Sequence, residues 1–193
     1  MHFPTRYQCE GMVIRSYEDT QEDARALTEA LKTSYEHLKP WMIWANPNPD
    51  EHYSLKLIQK NLDNYLRGVD FVLGIWEEDV LIGSTGFHPR WGNLSSGNIE
   101  VGMWIRQDCA YKGVGTKALR LMLDWGFGDW RFERVVWMCD TKNIASSRVA
   151  EKNGLTLEGT LRKHQLNPFG ERIDMHLFAI LKEEWMALRA EKS

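Results

Sequence analysis

The chain of 193 residues is the size of one ordinary domain, and its 43% hydrophobic and 26% charged residues are globular proportions that argue against disorder or a fibrous repeat. With 24 basic against 27 acidic side chains the net charge is −3, so no binding to nucleic acid or an anionic membrane through bulk charge is expected. Apolar runs such as Phe71 to Trp76 fall far short of the roughly 18 residues of a membrane span. The N-terminal segment lacks a signal-peptide core, and Cys9, Cys109 and Cys139 are too scattered for a disulfide framework, which predicts free thiols and a cytoplasmic setting.

Met12 to Ser16 alternates as a strand. Asp19-Thr20 followed by Asp23 forms a helix start, and Ala24, Leu27, Leu31, Tyr35 and Leu38 recur at helical steps up to Pro40. After the aromatic, proline-punctuated segment 40–49, Leu55, Ile58, Leu62 and Tyr65 mark a second helix ending near Gly68. Phe71 to Trp76, the acidic turn Glu77-Glu78-Asp79 and Val80 to Phe87 read as a hairpin. Beyond a Gly-, Asn- and Ser-rich loop, Ile99 to Ile105 is a strand with Glu100, Gly102 and Trp104 on one face and Ile99, Val101, Met103 and Ile105 on the other. A helix striped by Val114, Ala118, Leu121, Met122 and Trp125, a buried-type strand Arg134 to Cys139 and a short helix Asn143 to Asn153 follow. Leu155 to Leu166 and Arg172 to Leu181 flank the turn Asn167-Pro168-Phe169-Gly170 as a closing hairpin. The fold class is α+β: a single domain over 1–193 with a mixed, mostly antiparallel twisted sheet flanked by helices.

Chemistry concentrates at Lys112-Gly113-Val114-Gly115-Thr116, which opens a helix after a strand. Glycines permit close approach of backbone, and free N–H groups at a helix start attract phosphate, although a turn needing two glycines reads the same way. The segment is no Walker P-loop. Gly113-x-Gly115-x-x-Ala118 with Asp140 further on meets the loose dinucleotide pattern, but seven residues separate strand from glycine and an antiparallel hairpin precedes it, which argues against a nicotinamide or flavin enzyme.

Three segments read together carry a resemblance: Ile99-Glu-Val-Gly-Met-Trp-Ile; Gly113-Val-Gly-Thr-Lys-Ala; and Asn143-Ile-Ala-Ser-Ser-Arg-Val-Ala-Glu-Lys-Asn-Gly-Leu-Thr-Leu-Glu-Gly-Thr-Leu-Arg. The chain resembles the GNAT acyltransferases, in particular the RimJ/RimL-type protein N-acetyltransferases, over nearly its whole length. The resemblance implies a central splayed strand pair, with acetyl-CoA as co-substrate. Its pyrophosphate would sit on Lys112, Gly113, Val114, Gly115 and Thr116, and its pantetheine arm beside Met103, Trp104 and Ile105. Asn143 and Ser147 match cofactor-contacting positions, and Ser146 a hydroxyl that protonates the departing thiolate; equally, Asn143 suits a helix N-cap and the serines an ordinary first turn. The family's Gln or Arg three residues before the first glycine is Ala110 here, and its glutamate six residues after the Glu-Gly pair is Gln165, which can orient an amine but cannot accept a proton.

Direct attack on a thioester needs a neutral amine. About a tenth of an α-amino group is neutral at pH 7, against fewer than about one in a thousand lysines, so an N-terminal amine needs only a modest base. Glu100 is the leading base by its place on the strand beside the expected thioester, with an ion-pairing carboxylate as its structural alternative. His88 is a second base candidate and, with Trp91 and Gln165, a candidate for the acceptor cleft. Trp41 and Trp44 join Trp91 in loops that could rim that cleft or merely pack, whereas Trp104, Trp125, Trp130 and Trp137 are read as structural. No metal-ligand spacing occurs. The expected activity is acetyl transfer to the α-amine of a protein or peptide, ribosomal proteins included, or of an aminoacyl compound, without a covalent enzyme intermediate. A polyamine or aminoglycoside acetyltransferase and a non-catalytic acyl-CoA-binding module are the rivals, and relatives of this type suggest a homodimer.

Overall fold

The computed structural model describes residues 3–191. One eight-stranded sheet runs in the order β1-β2-β3-β4-β5-β6-β8-β7. Its strands are β1 (Arg6–Cys9), β2 (Met12–Ser16), β3 (Phe71–Glu77), β4 (Val80–His88), β5 (Asn98–Ile105), β6 (Arg134–Asp140), β7 (Thr156–Leu166) and β8 (Arg172–Leu181). The helices are α1 (Gln21–Leu38), α2 (Glu51–Leu66), α3 (Val114–Phe127), α4 (Ile144–Lys152) and α5 (Lys182–Ala190). Every neighbouring pair is antiparallel except β5 with β6. The α+β class and mixed sheet expected from the sequence are what the chain forms.

Helix starts are chemically specified. Thr20 caps α1 through the Asp23 N–H, and Asp50 caps α2 through the Tyr53 N–H at 2.7 Å. Asp23 is also gripped by both Arg15 guanidinium nitrogens at 2.8 Å, a buried bidentate pair that ties α1 to β2. The buried hydroxyls of Thr28 and Ser54 meet at 2.7 Å and join α1 to α2. These two helices cover one face of the sheet through Leu27, Leu31 and Ile58, which share a core with Trp76 and Leu81 of the sheet; on the other, α3 buries Leu119, Met122 and Trp125 against Phe71, Phe87 and Phe178.

The hairpin turn is tighter than the sequence suggests. Only Glu78 and Asp79 connect β3 to β4, both at positive φ (47° and 64°), the backbone that a two-residue turn requires. A bulge at Ile75/Trp76 then shifts the ladder by one residue, so that Phe71 faces Phe87. Two elements are absent from the sequence reading. β1 is a four-residue edge strand too short to show alternation, and α5 is held by tertiary contact, its buried Trp185 donating to Asp124 at 3.0 Å.

Candidate active site

The parallel pairing of β5 and β6 covers only Asn98–Arg134, Ile99–Val135 and Glu100–Val136. Both strands continue for several residues beyond that point, β5 to Ile105 and β6 to Asp140, without pairing to each other. A cleft of about 1360 Å³ runs from this splay; Met103, Trp104 and Ile105 line it from β5, Trp137 and Cys139 from β6.

At one end of the cleft lies the start of α3. The loop before it is braced by Arg106, which grips Asp108 at 2.9 and 2.7 Å, and by the Lys112 ammonium, which donates to the Asp108 carbonyl at 2.7 Å. Tyr111 (φ 62°) and Gly113 (φ 85°) both adopt left-handed backbone, and a Cβ on Gly113 would meet nothing, so it is the turn that asks for glycine there. Gly113 is the N-cap of α3 and offers no side chain, leaving the first-turn N–H groups without a side-chain acceptor. Gly113, Gly115 and Thr116 line the cleft, whereas the Lys112 and Val114 side chains do not, which leaves those two positions only backbone to offer.

At the start of α4, Asn143 accepts the Ser146 N–H at 3.1 Å and so acts as the N-cap that local sequence allows. The Ser146 hydroxyl lies in the cleft and accepts from the Trp137 indole at 3.0 Å. Its own proton stays available to a group entering the splay. Ser147 departs from expectation: it is buried outside the cleft lining, its hydroxyl 3.4 Å from the Cys139 sulfur. Residue i+1 on a helix turns about 100° away from i, so adjacent serines cannot both face one cleft. Burial pushes the Cys139 thiol up.

The acceptor side is built on one row of the sheet. His88 on β4 faces Glu100 on β5. The bulge-shifted register of β3 brings Asp70, immediately before that strand, to the other side of His88, and Asp70 Oδ1 holds His88 Nδ1 at 2.5 Å. The imidazole lies over the cross-strand pair Gly86–Gly102, because a Cβ on either glycine would come within 3.0 Å of Nε2. Among the described residues nothing hydrogen-bonds Nε2, and His88 lines the cleft. Glu100, only 6% exposed, has both oxygens engaged: one with Arg90, the other with the Trp91 indole at 3.1 Å. That is the arrangement of a carboxylate that pins a loop, with neither oxygen left free for an entering amine. Gln165 lines the far wall beside His164, past a β7 bulge in which Lys163 takes positive φ.

Asp70 has no counterpart in the sequence reading. Counted straight back from the Glu78-Asp79 turn it would face Phe87, and only the bulge moves it opposite His88. Trp104, read as structural, lines the cleft as well, and Trp130 lies in the connection after α3 yet packs in the aromatic core. Among the described residues no three His, Cys, Asp or Glu side chains are gathered as a metal site, and no helix is long and apolar enough to cross a membrane.

One splayed parallel pair thus meets a glycine-capped helix start across a single cleft. Residues 12–156 match the family model of the acetyltransferase (GNAT) domain, and the chain belongs to the GNAT acetyltransferases. It is 29% identical over 181 residues to YdaF of Bacillus subtilis (strain 168), a protein that carries the name of a ribosomal N-acetyltransferase; the match covers 91% of this chain and 94% of that one. To the N-acetyltransferase YnaD of the same organism it is 34% identical over 110 residues, a match spanning 56% of this chain and 62% of YnaD. Two solved structures share the fold. RimL, a ribosomal α-N-protein acetyltransferase in complex with coenzyme A, has a TM-score of 0.79 at 19% identity, covering 90% of this chain and 95% of its own. The microcin self-immunity acetyltransferase MccE, in complex with acetyl-CoA and AMP, has a TM-score of 0.80 at 20% identity, covering 90% and 93%.

Proposed function

We propose that this acetyltransferase moves the acetyl group of acetyl-CoA to the α-amine of a protein N-terminus, a peptide or an aminoacyl compound, by direct attack with both substrates bound. One observation carries the reading: the splay of β5 from β6 opens immediately past the His88–Glu100 pair. It is supported by the uncapped start of α3 across the same cleft.

In this reading the first-turn N–H groups of Val114, Gly115 and Thr116 take the pyrophosphate, and the exposed backbone of Met103 to Ile105 takes the pantetheine arm as an added strand would. Asn143 holds α4 so that Ser146 faces the same gap. The amine nitrogen attacks the thioester carbonyl carbon, the N–C bond forms and the C–S bond breaks. His88 Nε2 receives the amine proton, while the Ser146 hydroxyl gives its proton to the leaving thiolate. Asp70 fixes the His88 tautomer by accepting from Nδ1–H, so that the lone pair stays on Nε2. Glu100 serves as a positioning residue that anchors Arg90 and Trp91 at the cleft mouth. Gln165 offers an amide to the acceptor from the opposite wall.

The experiment is acetyl-CoA turnover, read as free thiol, over short peptides with different N-termini, with CoA binding followed by calorimetry. Transfer to α-amines that falls about a hundredfold or more in His88→Gln supports the reading. Tight CoA binding with no transfer to any amine refutes it in favour of a binding module.

A further inference from the structure

Resting on that transferase reading, we infer that the acceptor subsite selects an amine whose own substituent is a large apolar or aromatic side chain. The wall between α1, α2 and β5 is made by Leu27, Leu31, Leu57, Val72, Trp44 and Trp104, none of them charged. The two carboxylates that border this wall are already engaged, Asp70 by His88 and Glu100 by Arg90 and Trp91. Asp140, at the end of β6 across the splay, accepts the Lys142 N–H at 2.8 Å. A polyamine or aminoglycoside would therefore carry several positive charges to a wall that has no carboxylate of its own, a desolvation cost that an apolar group avoids.

The strand register sets the distance between reaction and selection. Gly102 and Trp104 lie on one face of β5, two residues apart and so about 7 Å along the strand. His88 Nε2 stands over Gly102. Trp104 faces Ser84 in the next row on that face. An α-amine held at Nε2 thus lays its own side chain on Trp104, one pleat away. Trp44 closes the subsite from the α1–α2 connection: its ring centroid lies 6.2 Å from that of Trp104, with the planes inclined at 56°. That wedge suits a third ring or a branched chain in edge-to-face contact, and Trp44 is 45% exposed at its mouth.

The test is an initial-rate panel on the full chain at saturating acetyl-CoA, with the amides of Phe, Leu, Ser and Gly, spermidine, an aminoglycoside and a glycyl-sulfamoyl-adenosine probe. The expected result is kcat/KM for the Phe and Leu amides at least about tenfold above Gly and Ser, with spermidine below Gly. Trp44→Ala, at an exposed position that folding does not need, should pull the Phe/Gly ratio toward one. Val72→Trp, which fills the subsite from its floor, should do the same. Equal or better turnover of Gly, Ser, spermidine or the glycyl nucleoside would overturn this inference while leaving the transferase reading intact. An unchanged Phe/Gly ratio in both variants would also overturn it. Absence of transfer to every amine with CoA binding retained would overturn both readings.

Discussion

Gly102→Ala separates the position of the His88 ring from the integrity of the fold. The added methyl would lie 3.0 Å from Nε2 and 3.3 Å from Cδ2, against 3.4–4 Å for ordinary contact, and no other atom lies within 4 Å. The imidazole must therefore give by about 0.5 Å, pivoting on its bond to Asp70. A 1 Å error in catalytic geometry costs about a hundredfold, so about tenfold in kcat is expected here. Stability should move the other way or stay level, because replacing a strand glycine at ordinary φ removes up to about 1 kcal/mol of unfolded-state entropy. CoA affinity should not change. The assay is kcat and KM for the best amide from the panel, beside a urea denaturation curve. Full kcat in Gly102→Ala would show that reaction does not depend on where Nε2 sits. A matched fall in kcat and stability would reduce the glycine to packing.

Ser146→Ala should lower kcat with little effect on the acceptor KM, and should also cost about 1–3 kcal/mol because the buried Trp137 N–H loses its acceptor; thermal unfolding beside kinetics reads both. Arg15→Met leaves the buried Asp23 carboxylate without its guanidinium and should cost about 3 kcal/mol, seen as a lower urea midpoint with an unchanged m-value. Arg134 holds the Glu158 carboxyl below its ordinary value of 4.5, so its contribution is present at neutral pH and is lost as the pH falls through 4.5 toward the depressed folded value. The stability gap between the wild type and Glu158→Gln should therefore close in that acid window and stay constant above it. The Cys139 thiol, raised by burial from an ordinary value of 9.0, should alkylate slowly at pH 7 and faster by about tenfold per pH unit up to at least pH 9, with CoA protecting it.

Periodicity and caps made most of the fold legible. Thr20, Asn143 and the apolar stripe of α3 each announce an element whose stabilising contacts are local or lie on one face. What escaped depends on contacts distant in sequence: α5 owes its place to Trp185 against Asp124, and β1 to an edge partner. The glycine loop and Ser146 were readable because backbone approach and helix starts leave a residue signature. The role of Glu100 was not, because whether a carboxylate is free or paired is decided by Arg90 and Trp91 folding back over it. Ser147 shows a different limit: family position points to it, yet the turn of α4 rotates it away from the cleft.

The bulge at Ile75/Trp76 links fold to chemistry most directly. A regular ladder alternates faces with a period of two, so a hairpin counted from its turn would put Asp70 opposite Phe87. One extra residue on β4, Ile82, moves every later residue of that strand by one position and makes Asp70, His88 and Glu100 a single row across three strands. That row ends at Val136, the last residue of β6 paired in parallel with β5, so the gap between the strands opens one residue past the imidazole. Ile82 is the extra residue, flanked by the pairs Trp76–Leu81 and Ile75–Gly83, so deleting it should close the ladder with Asp70 still opposite His88. Turnover, read as free thiol, and CoA binding, read by calorimetry, should both persist in that variant. Loss of turnover with CoA binding retained would show that the site needs the local twist of the bulge and not only the register of β3 against β4.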